Sequence, residues 1–168
     1  MHSRIKKIRL HRRQRKLRRL GRDERGVQLV ELAIVLPIFI LLFAATAEFG
    51  RYFYEYTTLS KATRVGARYL ATAAVKPSED TNVKNIVVFG NAAGTGTPLL
   101  TGLSTSNVTI TRSGGVPILP ETVTVQISGF RHQPIFDLGK LTKSATLSMD
   151  IDIKPSATMR YLLTQPLL

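Results

Sequence analysis

The sequence predicts an α+β protein: a long N-terminal transmembrane helix that extends into a small domain with an antiparallel sheet of about three strands. Three observations predict it. An apolar run from Val27 to Ala47 follows a strongly basic segment, helical periodicity continues past Ala47, and three later stretches alternate with a period of two. The expected organisation is a basic leader (1–26), a transmembrane segment (27–47), an amphipathic helical extension (48–76) and a β-rich domain (77–168). A chain of 168 residues has room for one modest domain beyond a leader and a span, which excludes a large multidomain enzyme.

The formal net charge of +13 points first to nucleic acid, but half of the Lys and Arg residues lie between Arg4 and Arg25. That segment carries neither a continuous apolar stripe nor aromatic residues on which bases could stack. It reads as a topology determinant with no nucleic-acid partner. Positive residues beside a span stay on the cytoplasmic side, so the C-terminal part faces outward. Cysteine is absent, which excludes disulfides and thiolate metal sites and leaves the outer domain to be held by packing.

Val27 to Ala47 is apolar apart from Gln28, Glu31 and Thr46, and about 20 such residues cross a bilayer core. Pro37 lies inside it and removes one backbone hydrogen bond, which predicts a kink. Glu31 is the informative residue, because a carboxylate within an apolar span costs a few kcal/mol and is usually functional. A cut between Gly26 and Val27 would make Glu31 the fifth residue of the mature chain. There it suits the helix dipole, and in an assembly it can pair with a neighbouring copy's new amino group.

A basic leader, Gly26, four residues, Glu31 and an apolar run together resemble the processing junction of type IV prepilins. The text that follows, AEFGRYFYEYTTLSKATRVGARYLA from Ala47 to Ala71, resembles the TadE-like minor pilins (pseudopilins) of tight-adherence (Flp) pili. Phe49, Gly50, Arg51, Arg64, Gly66, Ala67 and Arg68 carry the resemblance, which is strong over Arg25 to Ala71 and architectural beyond. It departs at Leu32, where related pilins often have an aromatic residue; this fits an accessory subunit better than the abundant small pilin.

The resemblance implies a pilin-like fold, removal of the leader by a prepilin peptidase, and a single-pass position in a bacterial inner membrane with a periplasmic domain. It implies other pilins and pseudopilins, the inner-membrane pilus assembly machinery and membrane lipid as partners. Two other junctions remain open. Ala45-Thr46-Ala47 is a small-x-small site for ordinary signal peptidase, and an uncleaved anchor would let Glu31 snorkel to the interface.

Beyond the span, Phe49, Tyr52, Phe53 and Tyr56 recur at i, i+3, i+4 and i+7, placing four rings on one face as a packing or interface stripe. Leu59, Thr63, Gly66, Ala67, Leu70 and Ala74 continue that side, and such rings also suit headgroup depth. Lys61, Arg64 and Arg68 make a second face, read as solvated, beside anionic headgroups, or against an acidic neighbour.

Pro77 and the polar residues to Asn82 predict the end of this helix. Val83 to Phe89 fits a short helix or a strand, and Gly90 to Ser106 an exposed loop. Val108–Arg112, Thr122–Ser128 and Leu147–Ile153 alternate as half-buried strands of an antiparallel meander, with Asp150 and Asp152 on the solvent side.

His132 stands alone in a loop and reads as a surface histidine, so neither a metal cluster nor a triad can be drawn. Paired carboxylates placed for acid–base work are likewise missing. The chain is expected to be no enzyme, with no catalytic residue, metal or cofactor. A rival function is a membrane-tethered binding module that recognises a periplasmic ligand through its Gly/Thr/Ser loops.

Overall fold

The structure, a computed structural model, describes residues 24–137, 139–140, 143–144 and 148–163. The basic leader as far as residue 23, and Leu147 of the third alternating stretch, lie outside them. Two compact units divide the chain, Met1–Ala44 and Ala45–Leu168.

The first helix, α1 (Glu24–Leu70), is continuous through Pro37. Leu, Ala and Ile dominate its first half, where an 18-residue window has a mean hydropathy of 2.6 and none of that window is buried. Val27, Ile34, Ile38 and Phe43 are all more than half exposed. A helix so apolar and so bare in water is the kind that crosses a membrane once or serves as a signal segment.

In the second unit, the later part of α1 packs with a second helix, α2 (Pro77–Phe89), and a sheet. Here the structure corrects the expectation for Pro77: α1 ends at Leu70, and Pro77 opens α2. Proline's missing N–H costs nothing in a first turn, and Glu79 and Asp80 suit the positive end of the dipole. Val83 to Phe89 is therefore helical, burying Val83, Val87 and Val88. Gly90 closes α2 with φ 77°, its N–H donating to the Ile86 carbonyl at 2.9 Å, a conformation that favours glycine.

The main sheet holds β1 (Val108–Ser113), β2 (Thr122–Ile127) and β5 (Ser156–Arg160) in the order β1-β2-β5, antiparallel throughout. Val108, Val123, Val125 and Ile127 turn inward, and Thr109, Thr111 and Gln126 turn out, as the alternation predicts. Leu59, Ala67 and Leu70 of α1 join these residues and the α2 valines in one core.

The third strand is not where the alternation placed it. Of Leu147–Ile153 only β4 (Asp152–Ile153) is a strand, and it pairs with β3 (Phe130–Arg131) in a separate two-stranded ladder. Met149 and Ile153 are buried but Ile151 is 43% exposed, so the period breaks in the middle. Ser156–Arg160 takes the edge of β2 instead, turning Ala157 and Met159 toward the core. Asp150 and Asp152 do face solvent and pair with Arg131. The Asp152 carboxyl is held below the usual range, first by its hydrogen bond with Lys154.

Arg112 fastens the sheet to α2. Its guanidinium grips both carboxylate oxygens of Asp80, and its Nε donates to the Tyr161 hydroxyl at 3.2 Å. The Asp80 bonds raise the Arg112 pKa against the opposing effect of burial. Replacing Arg112 with Met should cost about 1.5–3 kcal/mol, the range for hydrogen bonds to charged groups. Arg112→Lys should restore little, because an ammonium cannot make the planar double contact. Thermal unfolding of the detergent-solubilised chain checks both.

Candidate functional site

The helical face that enters the core does not begin with an aromatic ring. At 100° per residue, Glu48, Tyr52, Glu55, Leu59, Gly66 and Leu70 share one arc of α1, and Phe49 and Phe53 lie about 60° and 100° beyond its edge. Glu48 is 3% exposed and Leu59 fully buried, whereas Phe49, Phe53 and Tyr56 are 64%, 66% and 42% exposed. Of the four rings expected to act together, Tyr52 alone packs on the core.

Two carboxylates on a buried face need partners, since an unpaired buried charge costs several kcal/mol. His132 supplies them. The β3–β4 ladder and the bond from the His132 N–H to the Ile151 carbonyl (2.9 Å) fix its backbone. Its ring, fully buried, lies with Nε2 2.9 Å from Glu48 Oε1 and Nδ1 2.7 Å from Glu55 Oε2. Carboxylates only accept, so both contacts are satisfied when each ring nitrogen carries a proton. The reading of His132 as a lone surface residue is thus corrected: it sits at the centre of a buried ionic cluster.

Arg51, one turn after Glu48, donates from Nη1 to Glu48 Oε1 at 2.8 Å and lies 3.8 Å from Glu55 Oε1. The Ile135 and Phe136 N–H groups also donate to the Glu48 carboxylate, at 3.2 and 3.4 Å. Tyr52 meets the imidazole edge-on with centroids 5.6 Å apart. Two carboxylates, one guanidinium and one imidazole therefore tie the segment after β3 to α1. Among the described residues no buried side-chain polar atom is left without a partner.

The cluster's chemistry is that of a fastening. Both imidazole nitrogens are occupied, and among the described residues no group of His, Asp and Glu could hold a metal ion. An open groove of about 720 Å³ beside it is lined by Arg51, Tyr54, Glu55, Phe130, Arg131 and Ile135 among others. The spacing Glu48-x-x-Arg51-x-x-x-Glu55 was the signal in the sequence; its partner stands 77 residues after Glu55, beyond any local pattern.

The structure distributes the other expected residues widely. Gly26, Val27 and Glu31 are exposed on the early turns of α1. Gly50 is exposed with open space where a Cβ would stand, and Arg64 and Arg68 are exposed. Gly66 and Ala67 are buried. At Gly66 a Cβ would lie 2.8 Å from Val87 Cγ2, 3.5 Å from Val83 Cγ1 and 3.6 Å from Val125 Cγ1. The glycine lets α1, α2 and β2 meet.

Comparison with known families matches residues 26–68 to the TadE-like proteins, a short region covering about a quarter of the chain. No match was found among curated proteins or among solved structures. The matched region spans most of α1, from Gly26 through the ionic cluster's Glu48, Arg51 and Glu55 to Arg68. The long apolar helix and the small domain with its sheet are consistent with a pilin-like α+β fold, and with the family match they support a pilin-like structural role.

Proposed function

We propose that the chain is a TadE-like minor pilin of a tight-adherence pilus, held in a bacterial inner membrane by α1, its domain on the periplasmic side. A prepilin peptidase cuts between Gly26 and Val27, and Glu31 then pairs with the freed amino group of an adjacent subunit as the pilus is assembled. Other pilins and the assembly machinery are its partners. The observation that carries this reading is the junction itself: Gly26 and Glu31 open a long bare apolar helix whose residues 26–68 match the family.

The junction makes sharp demands. Mass spectrometry of the native protein should find Val27 as its first residue. Gly26→Ala or a bulkier residue should leave the leader attached, and Glu31→Leu should insert into the membrane yet give few pili. A native chain beginning at Met1 or at Glu48, or normal pili from both variants, would overturn the reading.

A further inference from the structure

A second surface of α1 carries three cations beside an apolar groove. Lys61, Arg64 and Arg68 project from one 60° arc of the helix, all exposed. None of them has a carboxylate within ion-pairing distance among the described residues. Arg51, Arg112, Arg131 and Lys154, by contrast, each have one, and what sets Lys61, Arg64 and Arg68 apart from the other unpaired cations is that they share one helical arc beside an apolar groove. Beside the row runs an apolar groove of about 290 Å³ between α1 and α2, to which Val65, Ile86 and Leu99 contribute, with Lys61 on its rim. Val65 and Leu99 are 56% and 41% exposed.

We propose that this groove receives an acidic, amphipathic segment of another protein, its apolar side chain set between Val65 and Leu99 and its carboxylates on Lys61, Arg64 and Arg68. Uncompensated cations beside an apolar cleft complement that pattern in both charge and shape. A second copy of this chain supplies too few carboxylates for three cations. Glu48 and Glu55 are held by His132, Glu79 by Tyr69, Asp80 by Arg112, Asp137 by Gly139 and Ser148, and Asp150 and Asp152 by Arg131 and Lys154; Glu31 lies in the apolar run, so Glu121 alone of the carboxylates described in the second unit is exposed and outside such a contact.

Lipid headgroups fit less well. Arg64 lies 17 residues beyond the end of the apolar run at Ala47, about 26 Å along a helix at 1.5 Å per residue, whereas screening limits attraction to about 8–10 Å. The inference stands apart from processing at Gly26, since it uses only residues of the second unit.

The test places a photoreactive benzophenone side chain at Val65, and separately at Leu99, in the full chain in its native membrane, and maps the cross-linked peptide by sequencing. The expected adduct is one defined segment of another protein with at least two carboxylates within a turn of an apolar residue. Combined Lys61→Glu, Arg64→Glu and Arg68→Glu should reduce its yield at least tenfold. Arg64→Lys with Arg68→Lys, which keeps the charge, should retain it. Limited proteolysis checks that each variant is folded. Adducts to lipid, to a second copy or to a segment without carboxylates, no defined adduct, or a yield indifferent to charge reversal would each overturn the proposal.

Discussion

Replacing His132 with Ala should lower the stability of the domain by about 3 kcal/mol, toward the bottom of the roughly 2–6 kcal/mol expected when two carboxylates each lose a buried hydrogen-bond partner at about 1–3 kcal/mol apiece. The bottom of the range applies because Arg51 and the Ile135 and Phe136 amides continue to hold Glu48. Domains of this size are stable by only about 5–15 kcal/mol, so the loss should lower the melting temperature by roughly 10–20 °C. The chain segment after β3 should also become the first site of proteolysis, since the imidazole is what joins it to Glu55. Glu48→Gln alone should cost less, as the amide keeps one acceptor for those N–H groups. A double-mutant cycle between His132→Ala and Glu48→Gln should reveal a coupling of about 0.5–3 kcal/mol. Arg131→Ala, which breaks exposed pairs with Asp150 and Asp152, should leave the melting temperature nearly unchanged. Equal effects from His132 and Arg131 would show that the buried cluster is no fastening.

The parts of this fold legible in the sequence were those whose signal is local. Val27 to Ala47 is apolar at all but Gln28, Glu31 and Thr46, and β1 and β2 keep strict alternation because their hairpin sets its own register. Where the structure departs from expectation, distant chain segments decide. Leu147–Ile153 alternates as well as β2 does, yet β3 claims its last two residues and leaves Ile151 in solvent. Ser156–Arg160, with only Ala157 and Met159 to bury, wins the sheet edge through pairing with β2. The buried face of α1 starts one residue before the aromatic stripe for a different reason. Aromatic residues are the ordinary choice for a core and carboxylates the least ordinary, so local pattern alone does not point to Glu48 and Glu55 as the inward residues. Only the three-dimensional position of His132, 84 residues after Glu48, makes the carboxylates the inward side.

The same helix offers a pair of glycine substitutions with opposite expected signs. Gly50→Ala should stabilise the chain by about 0.5–1 kcal/mol, because alanine is the better helix former and its methyl meets nothing within 4 Å. Gly66→Ala gains the same propensity but drives its Cβ to 2.8 Å from Val87 Cγ2. Val87 is fully buried and β-branched, so it cannot rotate away cheaply. Overpacking of this kind costs about 1–3 kcal/mol, which exceeds the propensity gain and leaves a net loss of about 1–2 kcal/mol. Gly66→Leu, with three further carbons at the same junction, should lose about 3 kcal/mol or more. Val87→Ala opens a cavity and should destabilise by itself, but combined with Gly66→Ala it should cost less than the sum of the two, because the new methyl fills the space the valine vacates. Urea midpoints for these variants and the parent chain in detergent decide the matter. If Gly50→Ala and Gly66→Ala shift the midpoint in the same direction, or if the Gly66 and Val87 effects simply add, close approach of α1, α2 and β2 at residue 66 is not what organises the core.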